Sequence, residues 1–334
     1  MTRILDLFYP NAERSKAFFT SELLKEFQSL GDYRRLASKR EAALAHPAYE
    51  EELYKAEVIV TGWGSPLLPA DLASKGQLKY VCNFTGEMRR VVPRTLIEQG
   101  VMVTNWGNSI SRTVAEASLM MILACLRRVK YVQDEMHLRK GYTMSISPDS
   151  LFERTVGLFG LGSIARELVS LLKPFQVKIQ AYSPHVSQEL MQELGVHKVD
   201  DLRTLFATSD VISVHAARTP QNMGIVNREL LQLLPDNGVL VNTARGAVIN
   251  EDDLVEELRA NRLWVALDVY QQEPLPADSP FRGMERVLLF PHQAGPTNDR
   301  FVDVTRHAID NIRRYLAGEQ LVAQVTCAEY DRMT

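Results

Sequence analysis

Four side chains that can bind an anion or move a proton follow three successive strand-like segments of the sequence. In chain order they are Arg245, Asp268, Glu273 and His292. Ligands of open α/β sheets bind at the carboxyl ends of the strands, so these side chains are expected at one edge of a sheet. A guanidinium pairs with a carboxylate through two parallel hydrogen bonds, and a histidine exchanges protons near neutral pH. Each residue alone is better explained as an ordinary loop residue, but the four together favour a functional site.

A glycine-rich turn lies upstream, between the apolar segment 155–159 and a helical stretch. Gly160 permits a tight turn, Gly162 lets the backbone approach a pyrophosphate, and Ala165 allows the helix to pack close to the sheet. The N-terminus of that helix offers unpaired N–H groups to phosphates. A plain turn can also contain Gly-x-Gly, but the order strand, turn and helix favours dinucleotide binding. The expected contacts of this turn are Gly160, Leu161, Gly162, Ser163 and Ile164.

The acidic residue that usually completes this signature is absent. It is expected about 20 residues further on, at the end of the next strand. The sequence has Ser183 and His185 there, and no carboxylate lies between positions 177 and 188. Without that negative charge a 2′-phosphate is not repelled, and Ser183, His185 or Arg218 could contact it. The alternative is that Ser183 and His185 are solvated and that NAD is held by other contacts, so the expected cofactor is NAD or NADP.

Strand-like and helical stretches alternate along the chain, which is typical of an α/β protein with a mostly parallel sheet. The clearest strands are 57–60, 80–82, 102–104, 155–159, 177–182, 211–215, 239–242, 264–269 and 287–290. Long helical stretches, about 113–139 and 301–316, follow two loops that we interpret as joints. We therefore expect one domain, residues 105–296, to be inserted into a second domain made of residues 1–104 and 297–334.

Size and composition exclude several classes of protein. The 334 residues suffice for about two domains, and a content of 46% hydrophobic and 24% charged residues excludes global disorder. A net charge of −3 argues against nucleic acid as a main partner. No apolar run is long enough to cross a membrane, and no signal peptide is evident. The three cysteines are far apart without metal-binding spacing, so we expect no metal, no membrane partner and a cytoplasmic location.

These motifs, in this order, resemble the D-isomer-specific 2-hydroxyacid dehydrogenases, which include D-lactate, D-glycerate and glyoxylate/hydroxypyruvate enzymes. The resemblance runs over nearly the whole chain from about residue 57. It rests on Val114-Ala-Glu116, Val156-Gly-Leu-Phe-Gly160-Leu-Gly162, Asn242-Thr-Ala-Arg245-Gly246, Leu267-Asp268-Val269 with Glu273-Pro274, and Pro291-His292 with Gly295. The fold that it implies is a Rossmann-type, doubly wound, parallel nucleotide-binding domain inserted into a smaller flavodoxin-like α/β substrate domain.

The resemblance also implies a role for each candidate residue. Arg245 would bind the carboxylate and keto oxygen of a small 2-keto or 2-hydroxy acid. His292 would be the general acid/base while a hydride moves between nicotinamide C4 and substrate C2, and Glu273 would orient His292. Asp268 is similar to the family residue that holds the nicotinamide carboxamide, and Thr219 to one near the phosphates. The remaining expected cofactor contacts are His215, Ala216, Thr243 and Ala244.

The loop after residues 78–82 departs from the family pattern. The family usually has Gly-x-Gly-x-Asp there, with amides that meet the substrate carboxylate, whereas this chain keeps only Gly86. The expected substrate contacts are Trp63, Thr85, Gly86 and Glu87, in addition to Arg245. Trp63 would shape the pocket or cap a small core. Arg89 or Arg90 would add an anion contact or belong to a solvated charge pair.

Two other functions fit the same scaffold. Nucleotide-gated transcriptional corepressors share the fold and a similar Arg, Glu and His set, which would make this chain a dinucleotide-sensing binding protein. Formate- or phosphite-type dehydrogenases use the same scaffold to oxidise a different reductant. In the family, the helix that matches the stretch from Thr113 packs against its twin across a two-fold axis, so the resemblance also implies a homodimer.

Overall fold

The computed structural model describes residues 1–142 and 147–332, and the chain separates into two compact units. The first unit consists of Met1–Ile110 and Pro296–Thr334, and the second is the continuous segment Ser111–Gly295. The first unit is therefore built from both ends of the chain. The domain limits expected from the sequence fell after residues 104 and 296, whereas the units divide after Ile110 and Gly295.

The first unit contains five parallel strands. They are β1 (Arg3–Asp6), β2 (Asp32–Arg34), β3 (Val58–Thr61), β4 (Tyr80–Asn83) and β5 (Met102–Thr104). Its helices are α1 (Ala12–Phe18), α2 (Ser21–Gln28), α3 (Arg40–Leu44), α4 (Tyr49–Lys55), α5 (Leu72–Lys75), α6 (Arg94–Glu98), α14 (Phe301–Ala317) and α15 (Cys327–Arg332). The strand order β2-β1-β3-β4-β5 is the flavodoxin-like order.

The central strands of this sheet are apolar because both of their faces are covered. Every residue of β3 and β4 is buried, as parallel sheets with helices on both faces require. Strands β1 and β2 were not among the strands predicted from the sequence. Strand β1 has four residues and pairs with β2 and β3. Strand β2 has three residues, none of them buried, and pairs with β1 at the edge of the described sheet.

The second unit contains seven parallel strands. They are β6 (Thr155–Phe159), β7 (Lys178–Tyr182), β8 (His197–Lys198), β9 (Val211–Val214), β10 (Val239–Asn242), β11 (Trp264–Leu267) and β12 (Val287–Leu289). Its helices are α7 (Ser111–Leu126), α8 (Val129–His137), α9 (Ser163–Leu172), α10 (Gln188–Leu194), α11 (Leu202–Ala207), α12 (Arg228–Leu231) and α13 (Glu251–Arg259). The order β12-β11-β10-β9-β6-β7-β8 is doubly wound and reverses direction between β6 and β9. Such a reversal marks the ligand-binding crevice of a Rossmann-type fold.

The helical stretch expected at 113–139 is two helices rather than one. Arg128 has a left-handed φ of 56° between α7 and α8. Its buried guanidinium donates a hydrogen bond of 3.0 Å to the Cys125 carbonyl and pairs with Asp149. The same carbonyl accepts the Arg128 N–H at 3.0 Å, so Arg128 caps the end of α7 with both its backbone and its side chain. Helix α7 packs on α9, β10 and β11, which explains why it is apolar on more than one face.

Two negative findings apply to the part of the chain that the structure describes. None of its helices combines the length and the apolar character needed to span a lipid bilayer. No three His, Cys, Asp or Glu side chains of the described residues are grouped so that they could hold a metal ion.

Candidate active site

His292 and Glu273 form a hydrogen-bonded pair in the second unit. Nδ1 of His292 lies 2.7 Å from Oε2 of Glu273, while Oε1 of Glu273 accepts a hydrogen bond of 3.0 Å from the Tyr270 N–H. Glu273 is thus held from two sides and fixes the orientation of the imidazole. The side chain of His292 remains 53% exposed, and no described residue forms a hydrogen bond with its Nε2. That nitrogen is therefore available to exchange a proton with a ligand.

Asp268 supports the turn that carries His292. It is buried, and its two carboxylate oxygens accept the N–H groups of Gln293 and Ala294 at 2.7 and 2.9 Å. The carbonyl of Asp268 accepts the His292 N–H at 2.9 Å. Burial raises the pKa of Asp268, and the hydrogen bonds from Ala294 and Gln293 oppose that rise. The structure thus shows Asp268 holding the backbone of the histidine turn.

Arg245 lies on a turn that Asn242 builds. The Asn242 side chain donates to the Arg245 carbonyl and accepts the Ala244 N–H, both at 3.0 Å. Nη1 of Arg245 donates to the Ala244 carbonyl at 2.6 Å. The next residue, Gly246, touches the backbone of Tyr270 so closely that a Cβ at this position would overlap it. The packing of these two loops therefore depends on a glycine at position 246.

The electrostatics place Arg245 near the histidine pair. The pKa of Arg245 is lowered, mainly by burial. The Glu273 carboxylate opposes this shift, and the charge of Arg218 adds to it. A guanidinium keeps its charge at any working pH. The Glu273 carboxylate, which follows β11, thus orients the imidazole that follows β12 and interacts electrostatically with the guanidinium that follows β10.

The glycine turn after β6 has the shape that a dinucleotide pyrophosphate needs. Gly160 has a φ of +95°, and a Cβ there would lie 2.9 Å from the His215 carbonyl. At Gly162 a Cβ would meet nothing within 4 Å, and no side chain caps the first turn of α9. The open space and the uncapped N–H groups of Ser163 and Ile164 fit a phosphate anion. Leu161, in contrast, is buried in the core beside α9.

The other expected cofactor residues follow the ends of β7, β9 and β10. Ser183 is buried, and His185 is exposed. Thr219 accepts the Asn222 N–H at 3.3 Å and so organises the loop after His215 and Ala216. Thr243, which precedes Ala244, has its hydroxyl 2.9 Å from that of Ser118 in α7.

His215 is neutral at pH 7. Burial lowers its pKa to about 4. Its Nε2 lies 2.9 Å from the Ser213 hydroxyl, one strand position from the end of β9. The imidazole therefore carries no charge toward the turn at Gly160.

In the first unit, the loop of residues 84–90, here called the substrate loop, is held by its own hydrogen bonds. The Thr85 hydroxyl donates to the Glu87 carbonyl at 3.0 Å, and Asn83 donates to the Thr85 carbonyl at 2.6 Å. Gly86 lies against the Trp106 indole, where a Cβ would come within 2.6 Å of Nε1. Thr85 itself is fully buried.

Trp63 belongs to an aromatic cluster within the same unit. Its ring centroid lies 5.8 Å from that of Trp106 and 6.2 Å from that of Phe301, both edge-on. The Arg14 guanidinium covers the Trp63 ring at 4.8 Å. The half-buried Trp63 ring thus covers an aromatic core of the first unit and keeps part of its surface exposed.

Two residues that support the site were not among the candidate site residues expected from the sequence. Asn242 shapes the arginine turn, and the Tyr270 hydroxyl donates to the Phe290 carbonyl at 2.8 Å, which ties the glutamate loop to the histidine loop. A polar residue at the end of a fully buried strand was the available signal for Asn242. Tyr270 had no such signal, because its partner is 20 residues away.

Comparison with known proteins identifies the family. The profile described as "D-isomer specific 2-hydroxyacid dehydrogenase, NAD binding domain" matches residues 119–294, more than half of the chain. The chain belongs to this family, and the resemblance seen in the sequence is confirmed. The matched segment lies within the second unit, which is therefore a domain that binds a nicotinamide dinucleotide.

The similar proteins differ in size and in name. The D-3-phosphoglycerate dehydrogenase of Methanocaldococcus jannaschii is 28% identical over 270 residues, covering 80% of this chain and 51% of that protein. The chain thus spans about half the length of this relative. The glyoxylate reductase of Korarchaeum cryptofilum is 26% identical over 290 residues, covering 84% of this chain and 86% of that protein.

Solved structures show the same fold. A D-2-hydroxyisocaproate dehydrogenase superimposes with a TM-score of 0.80 at 20% identity, covering 98% of this chain and 100% of that chain. An acyclic imino acid reductase, in complex with NADPH and D-Arg, superimposes with a TM-score of 0.76 at 24% identity, covering 97% and 100% of the two chains. The predicted α/β fold, a Rossmann-type domain with a flavodoxin-like companion, is confirmed.

Proposed function

We propose that this protein is an NAD(P)-dependent 2-hydroxyacid dehydrogenase that works mainly as a reductase of small 2-keto acids. The observation that carries the proposal is the His292–Glu273 pair at 2.7 Å, electrostatically coupled to Arg245 on the neighbouring loop. A charged fork and an oriented proton donor are what a carboxylate next to a carbonyl group requires. The uncapped turn at Gly162, in the same unit, supplies the binding site for the cofactor phosphates.

The proposed reaction assigns one task to each residue. Arg245 binds the substrate carboxylate and orients the adjacent carbonyl group. His292 gives the proton on Nε2 to the carbonyl oxygen, and Glu273 keeps Nδ1 hydrogen-bonded so that Nε2 faces the substrate. When bound, the reduced nicotinamide supplies a hydride from C4 to substrate C2. The balance is one 2-keto acid, one NAD(P)H and one proton giving one 2-hydroxy acid and one NAD(P)⁺.

The cofactor contacts follow from the second unit. We assign the pyrophosphate to the amides of residues 160–164 and the adenosine ribose to Ser183 and His185. Thr219, Thr243 and the neighbouring loop residues hold the remainder of the dinucleotide. Asp268 positions the loop beside the nicotinamide through Gln293 and Ala294, whose amides it binds.

In the first unit, we assign substrate contacts to Thr85, Gly86, Glu87 and Trp63. Support comes from the organised substrate loop and from the exposed part of the Trp63 ring. Arg89 is not assigned to the anion, because its guanidinium already binds two main-chain carbonyls of the first unit. Of the two arginines considered from the sequence, only Arg90 is exposed without a hydrogen bond or ion pair to a described residue.

Two properties of the whole chain belong to the same proposal. A homodimer is supported by Val129, Val132 and Met136, which form one exposed apolar face of α8. A cytoplasmic location is supported by the three cysteines, all of which are free thiols.

The test is a panel of small 2-keto acids with NADH and NADPH. We expect at least one acid to oxidise the cofactor, and expect His292→Ala and Arg245→Ala each to lower kcat/KM by about a hundredfold or more. The control is His197→Gln, a change at an exposed histidine on β8. Equal turnover by the wild type and both alanine variants would contradict the assignment. Tight NADH binding with no turnover of any acid would instead indicate a dinucleotide-sensing protein.

A further inference from the structure

The C-terminal helix of the first unit is bound to the end of the substrate loop. Nε of Arg89 donates to the Tyr330 carbonyl at 3.2 Å, and Nη2 donates to the Asp331 carbonyl at 2.8 Å. The last carbonyls of a helix have no partner within that helix. Arg89 therefore supplies the hydrogen bonds that the last turn of α15 needs, and a cation is favoured at this end of a helix.

Further contacts hold α15 in the same place. Tyr330 is buried, packs in the apolar cluster that contains Met88 and Val92, and donates its hydroxyl to the Val92 carbonyl at 2.7 Å. Arg94 donates to both oxygens of the Asp331 carboxylate, at 2.8 and 3.1 Å. Helix α15 thus contacts the segment 88–94 through the apolar packing of Tyr330, through its hydroxyl group and through the ion pair between Asp331 and Arg94.

Arg89 connects α15 to the residues assigned to the substrate, because its side chain binds α15 and its backbone binds Glu87. The backbone N–H of Arg89 donates to Oε1 of Glu87 at 2.7 Å. The carbonyl of Glu87 accepts the Thr85 hydroxyl at 3.0 Å. The position of Thr85 and Glu87 therefore depends on Arg89, and the side chain of Arg89 depends on α15.

We propose that α15 is a clasp that sets the conformation of the substrate loop, with Arg89 as the positioning residue that connects the two. Arg89 does not touch the substrate and acts through Glu87 and Thr85. This inference rests on the proposed function, because it concerns the affinity of the substrate loop for a 2-keto acid. It accounts for a loop that keeps only one of the two glycines of the family pattern and lacks its aspartate, yet is ordered by contacts distant in sequence.

The kinetic test is Arg89→Gln, measured on the full-length enzyme at saturating NADH. We expect KM for the 2-keto acid to rise at least about fivefold, because small displacements of substrate contacts are costly. We expect kcat and KM for NADH to stay within about twofold. The matched control is Arg313→Gln, which removes an exposed arginine that pairs with Glu26 in the same unit, away from the loop. A merely structural role for Arg89 would lower the amount of active enzyme, and hence kcat, without changing KM.

Hydrogen–deuterium exchange of peptides that cover residues 84–92 is the second readout, and it does not depend on turnover. We expect faster exchange in Arg89→Gln and unchanged exchange in Arg313→Gln. Unchanged exchange in Arg89→Gln would overturn the clasp, and faster exchange with an unchanged KM would overturn its role in positioning. A higher KM in Arg90→Gln but not in Arg89→Gln would identify Arg90 as an anion ligand and also overturn the proposal. If the wild type reduces no 2-keto acid although exchange responds to Arg89→Gln, the proposed function has failed while the clasp stands, and the inference about substrate affinity is overturned.

Discussion

At the scale of single residues, the site depends on how each charged group is held. Glu273 divides its two oxygens between the His292 ring and the Tyr270 N–H, whereas Asp268 gives both of its oxygens to main-chain amides. Two carboxylates that look equivalent in the sequence thus have different functions. Glu273 orients a side chain, and Asp268 fixes the backbone of a turn. Residue type and spacing predicted which residues matter, but not this division, because it depends on the path of the loop from 268 to 273.

His215 provides a pH-dependent prediction. Its pKa is about 4 in the folded protein, against an ordinary value of 6.5. As the pH falls from about 6.5 toward 4, the unfolded chain takes up a proton that the folded chain does not, so the folded state loses stability. We expect urea denaturation to show that this residue removes about 1–2 kcal/mol from the free energy of unfolding between pH 7.5 and pH 5.

The variant His215→Asn cannot titrate and should lose less stability over the same pH range. The exposed histidine variant His197→Gln is the control and should behave like the wild type. A wild-type pH dependence in His215→Asn would show that burial does not hold this imidazole neutral.

At the scale of elements, we expect the end of β7 to set the preference between the two dinucleotides. Ser183 is buried there beside the exposed His185, with no carboxylate to repel a 2′-phosphate. We predict that Ser183→Asp lowers kcat/KM for NADPH by about tenfold or more relative to NADH, because a carboxylate repels the phosphate and accepts the ribose hydroxyl groups. Steady-state kinetics with both cofactors measure the ratio.

The matched control for this prediction is Ser187→Asp, because Ser187 is the N-cap of the neighbouring helix α10 and aspartate also caps helices. The ratio of the two cofactors should not change in that variant. An unchanged ratio in Ser183→Asp would show that the adenosine ribose is not bound at the end of β7.

The elements also show where local pattern is sufficient and where it is not. Nine of the twelve strands that the structure describes were predicted, because buried parallel strands are nearly continuous in apolar residues. Strands β2 and β8 were not predicted, since none of their residues is buried and they carry no apolar run. Strand β1 was also missed, although three of its four residues are buried. The break at Arg128 was also missed, because the left-handed residue there is an arginine rather than the glycine or asparagine that usually marks such a helix end.

At the scale of the whole molecule, the fold class and the candidate catalytic residues followed from the sequence because the motifs are local to each strand end. The contacts that organise the substrate loop did not. Arg89 and Tyr330 are separated by 241 positions, and no local pattern reports a contact of that range. The sequence therefore predicted the atypical loop, and only the structure shows that Arg89 of this loop contacts residues 330 and 331.

The oligomeric state is a prediction at this scale. We expect light scattering to give about twice the mass of one chain, because α8 exposes Val132 and Met136, 43% and 47% accessible, on one face. Replacing both with glutamate should give monomers, since charges are costly in a buried interface. The control is Leu316→Glu, a change at an exposed leucine of α14. A monomeric wild type would contradict the prediction, and a dimer that survives the double change would place the interface elsewhere.

The most direct test of the proposed reaction follows the transferred hydrogen. A 2-keto acid that the enzyme accepts would be reduced with NADH or NADPH carrying deuterium at the transferable C4 position, and the product would be analysed by NMR and chiral chromatography. The account predicts one deuterium at C2 of a 2-hydroxy acid of D configuration. A product without deuterium at C2, or one of L configuration, would contradict it.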